Sequence, residues 1–135
     1  MALPRVRVVA AALFDAAGRV LIAQRPAGKA MAGRWEFPGG KVAAGEGELA
    51  ALTRELAEEL GIELGRARHA LALAHDYPDF TVELSLWIIE SYRGTPRPLD
   101  GQRLKWVPAG ALPAEDLLEA DRPFVELLAA RAAPA

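Results

Sequence analysis

Apolar and polar residues along the chain follow two patterns, short β-branched runs and longer stretches with helical periodicity. Runs rich in branched and aromatic residues predict strands. The predicted strands span residues 6–14, 19–25, 35–37, 66–76, 80–92 and 104–107. Amphipathic periodicity predicts helices over 49–60 and 122–131, with short helical turns in 108–118. The turn at 15–18 predicts that the first two strands form a hairpin.

Glycines mark both ends of the central predicted helix. Its apolar stripe consists of Leu49, Leu52, Leu56 and Leu60. Gly61 follows the last leucine turn and suits a helix end that needs a left-handed residue. Upstream, the loop Phe37-Pro38-Gly39-Gly40 contains a glycine pair, which lets the backbone approach a ligand closely. The pattern therefore predicts a helix that packs on the core and is preceded by a ligand-binding loop.

Three glutamates lie on one face of this helix, beside the leucine stripe. Glu55, Glu58 and Glu59 have the i, i+3 and i+4 spacing that places side chains together. Crowded carboxylates repel one another unless a cation holds them. Because no His or Cys is nearby, Mg²⁺ or Mn²⁺ fits better than zinc. The alternative is a solvated acidic face on which Arg54 pairs with Glu58, and that pair leaves the other two glutamates unexplained.

Composition limits the class of protein without identifying it. The chain has 135 residues, which we interpret as one domain over 1–135. A net charge of −2 argues against a broad basic surface for nucleic acid, and the lack of cysteine excludes disulfides and thiol chemistry. The apolar run 8–14 is too short for a membrane span, and the N-terminus lacks the features of a signal peptide. We therefore expect a cytoplasmic protein with no membrane contact, and no obligatory protein partner is evident.

The region around the glutamates resembles the Nudix hydrolase family. Its box, G-x5-E-x7-R-E-U-x-E-E-x-G-U with U apolar, is matched without departure by Gly40, Glu46, Arg54, Glu55, Leu56, Glu58, Glu59, Gly61 and Ile62. From average residue usage, a chance match is on the order of 10⁻⁷. The resemblance implies an α/β/α sandwich with a mixed β-sheet. It also implies hydrolysis of a nucleoside diphosphate linked to another group.

The same resemblance assigns roles around a metal. It implies that Mg²⁺, which Mn²⁺ can replace, is bound by the carbonyl of Gly39 and by the helix carboxylates Glu55, Glu58 and Glu59. Arg54 is expected to orient these glutamates. Glu46 is expected to support the loop or the outer shell of the metal.

The general base is left open among Glu55, Glu59 and Asp100. Asp100 stands in a loop where MutT-like proteins carry a glutamate that reaches the metal, so we include it as a catalytic and metal-ligating candidate. Aspartate is shorter by one methylene, and an Asx-turn is an equal alternative for this residue.

Within the family, the chain is most similar to the MutT-like subfamily. The shared runs are 21–25, 31–41, 77–79, 101–102 and 121–123. The likeness implies that a nucleoside triphosphate, 8-oxo-dGTP or a related oxidised or noncanonical nucleotide, is hydrolysed to the monophosphate and pyrophosphate. The substrate-binding candidates are Arg25, Glu36, Phe37, Pro38, Gly39, Lys41, Phe80 and Asp121. Arg25 matches a nucleotide-contacting arginine. The two phenylalanines are candidates for stacking on the base or for the core, and Lys41 for a phosphate contact or the surface.

Asp121 departs from the asparagine that MutT places at this position. An ionised aspartate only accepts hydrogen bonds. It can therefore meet the N–H donors of 8-oxoguanine or the exocyclic amine of cytosine, as in relatives that act on CTP or methyl-dCTP. Asp121 is also a plausible N-cap of the last helix, with Pro123 in its first turn.

Two further alternatives remain. Tyr77-Pro78 lies where subfamilies that cleave ADP-ribose or dinucleoside polyphosphates carry marker residues. A non-catalytic, nucleotide-binding Nudix module is the rival from another class. Such modules typically lose box glutamates, and all are present here.

Overall fold

The structure, a computed structural model, describes residues 3–132, so both ends of the predicted domain 1–135 lie outside the described residues. Over these residues it confirms an α/β fold in which one α-helix separates four strands from five later strands, and a second α-helix follows the last strand. The strands are β1 Arg5–Ala12, β2 Arg19–Gln24, β3 Trp35–Glu36, β4 Gly39–Lys41, β5 Glu63–Leu64, β6 Ala67–Asp76, β7 Thr81–Ile89, β8 Tyr92–Arg93 and β9 Arg103–Pro108. The α-helices are α1 Glu48–Leu60 and α2 Arg122–Ala132, and 3₁₀ turns form Ala109–Ala114 and Glu119–Asp121.

A mixed four-stranded sheet is the centre of the molecule, as predicted. Its order is β4-β1-β7-β6, with β1 parallel to β7 and the other neighbours antiparallel. An antiparallel sheet β3-β2-β9 lies beside it, and β5 pairs with β8. Among residues 3–132 no helix is long and apolar enough to cross a membrane.

The two faces of the mixed sheet bury two separate cores. Alternate residues of β1 point to opposite faces because the side-chain period of a strand is two. Val9 and Ala11 pack with α1, whereas Ala10 and Ala12 pack with residues of α2 such as Phe124. One helix therefore covers each face, which is the expected α/β/α arrangement.

The prediction that the first two strands form a hairpin is wrong, except for a short contact near the turn. β1 and β2 belong to different sheets, and only one bridge, Phe14 with Val20, joins the two segments near the turn. Backbone N–H of Leu21 still donates to the carbonyl of Leu13 at 3.0 Å. β1 instead pairs along its whole length with β7 on one side, and through residues 8–10 with β4 on the other.

The long strand predicted over 80–92 is interrupted. β7 ends at Ile89, and the backbone N–H groups of Glu90 and Ser91 both donate to the carbonyl of Arg66. This bend sends Tyr92–Arg93 to pair with β5 instead of continuing β7. A short-range pattern cannot show where a strand changes its partner.

Helix α1 follows the sequence prediction closely. Leu52, Leu56 and Leu60 are fully buried, and Gly61 ends the helix in the left-handed conformation with φ 69°. The stripe differs at one position: Leu49 is 44% exposed, and Ala51 is buried instead. In this first turn Glu48 contacts the sheet, since its carboxylate accepts a hydrogen bond from Nε1 of Trp87 on β7 at 3.0 Å.

Candidate active site

A cleft open to solvent lies between the two larger sheets and the C-terminal end of α1. Its walls come from β2, β3, β4, α1 and the loops around Lys29 and Asp100. The lining residues are Ala23, Gln24, Pro26, Lys29, Glu36, Pro38, Gly39, Glu59, Asp100 and Gln102. Five of these ten were predicted as site residues, namely Glu36, Pro38, Gly39, Glu59 and Asp100.

The glycine pair of β4 is required by two close approaches. Gly39 has φ 153°, and a Cβ there would lie 2.0 Å from the carbonyl oxygen of Val9 on β1. At Gly40 a Cβ would lie 2.4 Å from the Cδ of Glu55. Gly39 thus lets β4 pair with β1, and Gly40 leaves the space that the Glu55 carboxylate occupies.

Arg54 holds the start of α1 to the preceding loop. Its Nε and Nη2 donate to the two carboxylate oxygens of Glu46 at 3.0 and 2.9 Å, and Nη2 also donates to the carbonyl of Lys41. Its Nη1 donates to Glu55 at 2.8 Å and lies 3.6 Å from Glu58. Hydrogen bonds from Arg54, and then from the backbone N–H of Ala43, lower the pKa of Glu46 to about 2. The predicted orienting contact of Arg54 is therefore present for Glu55, and Glu46 supports the loop.

The three helix glutamates occupy different environments. The Glu55 side chain is only 14% exposed, whereas that of Glu58 is 61% exposed and points along the outside of the helix. Glu59 faces the cleft. The turn therefore spreads its carboxylates from the cleft to the surface.

Burial and neighbouring carboxylates make ionisation of Glu59 unfavourable. Burial first, and then the nearby carboxylates of Glu55, Glu36 and Asp100, together raise its pKa to about 8, while the backbone of Gly39 has the opposite effect. Without a cation, this group is held in its neutral form near neutral pH.

The loop that carries Asp100 is fixed to the C-terminal end of α1. The carbonyl of Glu59 accepts hydrogen bonds from the backbone N–H of Leu99 at 3.0 Å and from Nε2 of Gln102 at 3.1 Å. The carbonyl of Leu60 accepts from the backbone of Arg97 at 2.9 Å. These bonds satisfy helix carbonyls that would otherwise lack partners. They bring Asp100 to the same cleft as Glu59.

Asp100 does not use its side chain for the alternative Asx-turn. Its carboxylate pairs with Nζ of Lys29 at 3.1 Å, across the mouth of the cleft. Its backbone N–H donates to Oε1 of Gln102 at 2.9 Å. Sequence reasoning missed both partners. Gln102 could have been predicted as a site residue, because it is polar and lies in run 101–102, which is shared with MutT-like proteins. For Lys29 the sequence showed only a lysine in a loop of small residues.

The residues fit a hard cation in chemistry, although the ligand set stays a prediction. Within residues 3–132, no group of three or more His, Cys, Asp or Glu side chains is arranged to hold a metal. The reason is visible at Glu55 and Glu58, which both face Arg54. The donors near the cleft are all oxygens, and the raised pKa of Glu59 is relieved by a cation. Because Gly40 has no side chain, the Glu55 carboxylate has space in which to turn.

The predicted nucleotide-binding residues lie in different surroundings. Arg25 donates to the carbonyl of Ala30 at 2.7 Å and to Glu36 at 3.0 and 3.2 Å, so it joins the cleft wall through Glu36. Burial raises the pKa of Glu36, and Arg25 and Lys29 oppose that rise. Lys41 is exposed, and its carbonyl is the group that contacts the box arginine.

The phenylalanine candidates differ from each other. The ring of Phe37 is 3% exposed and packs against Phe124, with centroids 6.3 Å apart, so this ring belongs to the core and is not free to stack on a base. Phe80 is half-buried and stacks on Tyr77 at 5.1 Å, at the edge of the core. Neither ring lines the cleft described above.

Asp121 is buried near the carboxylate of Glu36 and does not line the cleft. It is 5% exposed, and its Oδ2 accepts a hydrogen bond from the backbone N–H of Phe37 at 3.3 Å. Burial first, and then the charge of Glu36, raise its pKa to about 8, while Phe37 and Arg25 oppose the rise. A capping bond from this side chain to α2 is absent among the hydrogen bonds of the described residues, so the N-cap interpretation lacks its expected contact.

Comparison with known proteins gives a consistent family assignment. A family model described as a NUDIX domain matches residues 9–127. A "Putative 8-oxo-dGTP diphosphatase 2" of Mycobacterium tuberculosis is 45% identical over 111 residues, covering 82% of this chain and 79% of the relative. A "CTP pyrophosphohydrolase" of Escherichia coli is 37% identical over 126 residues, covering 93% of each chain. A solved structure of MutT, from work on Aliivibrio salmonicida and Vibrio cholerae, has a TM-score of 0.82 at 32% identity, covering 94% of this chain and 98% of that chain.

Proposed function

The chain belongs to the Nudix hydrolase family, with a MutT-type fold, and on this premise we propose that it is a Mg²⁺-dependent pyrophosphohydrolase that converts 8-oxo-dGTP to its monophosphate and pyrophosphate. The observation that carries the proposal is the cleft in which Glu59, Asp100 and Gly39 meet beneath an intact Nudix helix. The supporting likeness includes relatives named as 8-oxo-dGTP diphosphatases. Its role is sanitation of the nucleotide pool in the cytoplasm, in support of DNA replication and repair, without an obligatory partner.

Each residue near α1 has a task that its contacts support. Glu59 and Asp100 line the cleft, and we assign to them the binding of the cation or the acceptance of a proton from water. Glu55 would join them by leaving Arg54. Arg54 keeps the helix in register with the loop through Glu46. Mg²⁺, when bound, supplies charge neutralisation for the phosphates and a lower pKa for its water.

The base preference depends on the protonation of Asp121. A carboxyl with a pKa near 8 is mostly neutral at pH 7, and a neutral carboxyl both donates and accepts. It then resembles the amide of the asparagine that it replaces. This property supports recognition of a purine edge such as that of 8-oxoguanine, for which an ionised aspartate would offer acceptors alone.

A cytosine nucleotide is the second candidate substrate. The E. coli relative that is named for CTP is similar over 93% of this chain. The exocyclic amine of cytosine donates hydrogen bonds, and the carboxyl oxygens of Asp121 accept them. The two candidate substrates differ in their demand on Asp121. The purine edge is met by a carboxyl that both donates and accepts hydrogen bonds, whereas the cytosine amine needs only an acceptor.

A nucleotide panel tests the activity and the preference together. Pyrophosphate release is measured with Mg²⁺ for 8-oxo-dGTP, dGTP, CTP and dCTP, and kcat/KM is compared. We expect 8-oxo-dGTP to exceed dGTP by at least tenfold. Equal efficiency for these two, or a preference for the cytosine nucleotides, would replace the proposed substrate.

The metal assignment is tested at Glu58, whose exposed side chain makes a folding defect unexpected. Glu58→Gln removes one carboxylate charge and is expected to abolish nearly all Mg²⁺-dependent turnover while the melting temperature stays unchanged. Glu90→Gln is the matched control, because Glu90 is exposed and lies outside the cleft. A purified Glu58→Gln protein with the wild-type rate contradicts the assignment.

A further inference from the structure

Lys29 is the one cationic side chain that lines the cleft within the part of the chain that the structure describes. The acidic lining residues are Glu36, Glu59 and Asp100. A triphosphate is highly negative. A cleft lined by three carboxyl groups and one ammonium group therefore needs cations to bind it. A metal at the α1 carboxylates meets part of that need, and a positive side chain at the opposite wall meets the rest.

Other cations near the cleft are committed elsewhere or lie outside it. Arg25 is held by the carbonyl of Ala30 and by the Glu36 carboxylate. Arg54 is held by Glu46 and Glu55 on the far side of the glycine pair. Neither arginine lines the cleft.

The present partner of Lys29 is easily exchanged. Its Nζ lies 3.1 Å from Oδ2 of Asp100, and the two side chains are each 51% exposed. Exposed ion pairs contribute little stability because water and salt screen them. An ammonium group has three donors and can turn to another oxygen anion within reach.

We propose that Lys29 is a phosphate-binding residue of this enzyme, held at the cleft mouth by Asp100 until substrate enters and then transferred to a phosphate oxygen. The exchange leaves Asp100 free to face the metal side of the cleft. The inference rests on the proposed function, because it assigns a further residue to the same site.

Inorganic triphosphate with Mg²⁺ is the probe, since it has neither base nor sugar. Its dissociation constant is measured by calorimetry for the wild type, Lys29→Met and Lys29→Arg. We expect Lys29→Met to weaken binding on the order of tenfold, as for the loss of one charged hydrogen bond, and Lys29→Arg to remain within about threefold of the wild type. Arg19→Met is the control, because it removes one positive charge from an exposed ion pair with Asp15, outside the cleft.

A second background separates phosphate binding from a merely structural pair. In Asp100→Asn the present partner has lost its charge, so a structural role predicts that adding Lys29→Met changes nothing further. The proposal predicts that the double variant still binds triphosphate about tenfold more weakly than Asp100→Asn alone. Wild-type affinity in Lys29→Met, or no further loss in the double variant, overturns the proposal.

The assays also distinguish this proposal from the proposed function. If the wild type releases pyrophosphate from none of the nucleotides, the proposed function fails, while triphosphate binding still reports on Lys29. If the wild type is active and Lys29→Met matches it in both KM and triphosphate affinity, only the role of Lys29 fails. A rise in KM with little change in kcat is the result expected for a phosphate contact made in the ground state.

Discussion

Replacing Gly40 by alanine tests whether the position of one carboxylate controls catalysis. The added Cβ would lie 2.4 Å from Cδ, 2.5 Å from Oε2 and 2.7 Å from Oε1 of Glu55. Ordinary contact begins at 3.4 Å, so the carboxylate must move by about 1 Å. It is the end of a flexible side chain, and it can move without displacing the backbone. Gly40 is not held at a positive φ, so alanine causes no backbone strain.

The expected loss is large for activity and small for stability. A misplacement of about 1 Å in a catalytic constellation lowers the rate by as much as about 100-fold. The displaced Glu55 loses its 2.8 Å hydrogen bond to Arg54, which costs about 1 kcal/mol and roughly 3 °C in melting temperature. Pyrophosphate release with Mg²⁺ gives the rate, and thermal denaturation gives the stability.

Gly47→Ala is the matched control for this experiment. An added Cβ there meets nothing within 4 Å, and Gly47 precedes α1 in an extended conformation that alanine adopts. The same methyl group is therefore added beside the same helix without touching a carboxylate. If Gly40→Ala keeps the wild-type rate within about twofold while folding normally, the Glu55 position does not limit catalysis and the reasoning is refuted.

Three other changes give separate outcomes. Gly39→Ala should lower the melting temperature by roughly 10 °C, because its Cβ would lie 2.0 Å from a backbone oxygen of β1 that cannot move aside; a melting temperature within 2 °C of the wild type would exclude this clash. Glu46 has a lowered pKa, so it stabilises the fold above about pH 4.5, and its contribution is lost as the pH falls toward 2; Glu46→Gln should flatten the acid limb of a melting-temperature profile. Glu59 has a pKa raised to about 8, so the folded state holds its proton longer than the unfolded state, and the metal-free protein should lose stability as the pH rises from about 4.5 to 8. Asp121, whose pKa is also raised to about 8, adds to the same slope, so Glu59→Gln should reduce the slope by roughly half; an unchanged slope would locate the titration in another group.

The helix and its box were predictable because their signals are local. The leucines, the glutamate spacing and Gly61 all act within one or two turns of α1, where helical period fixes which side chains are neighbours. The mixed sheet and the sandwich followed from the family resemblance. The prediction for Leu49 is wrong because a periodic pattern does not tell which side chains of the first turn meet the sheet, and here Glu48 and Ala51 do so.

The remainder of the site depends on contacts between distant parts of the chain. Gln102 reaches the carbonyl of Glu59 across 43 positions, and Lys29 reaches Asp100 across 71. Neither contact has a periodic signature, since each arises when the sheets place two loops side by side. The interruption of the strand 80–92 has the same origin, because its new partner β5 lies far upstream.

Burial changes the hydrogen-bonding role that the sequence predicts for Asp121. From the side chain alone, Asp121 is an acceptor, and that property fits the amine of cytosine as well as 8-oxoguanine. In the fold it is enclosed beside Glu36, and two carboxyl groups in a region of low polarity cannot both remain ionised at little cost. Arg25 is bonded to Glu36, so the proton is expected on Asp121 rather than on its neighbour. Burial is the main cause of the raised pKa of Asp121 and the charge of Arg25 opposes that rise, so removing Arg25 is expected to leave Asp121 protonated and able to donate as well as accept.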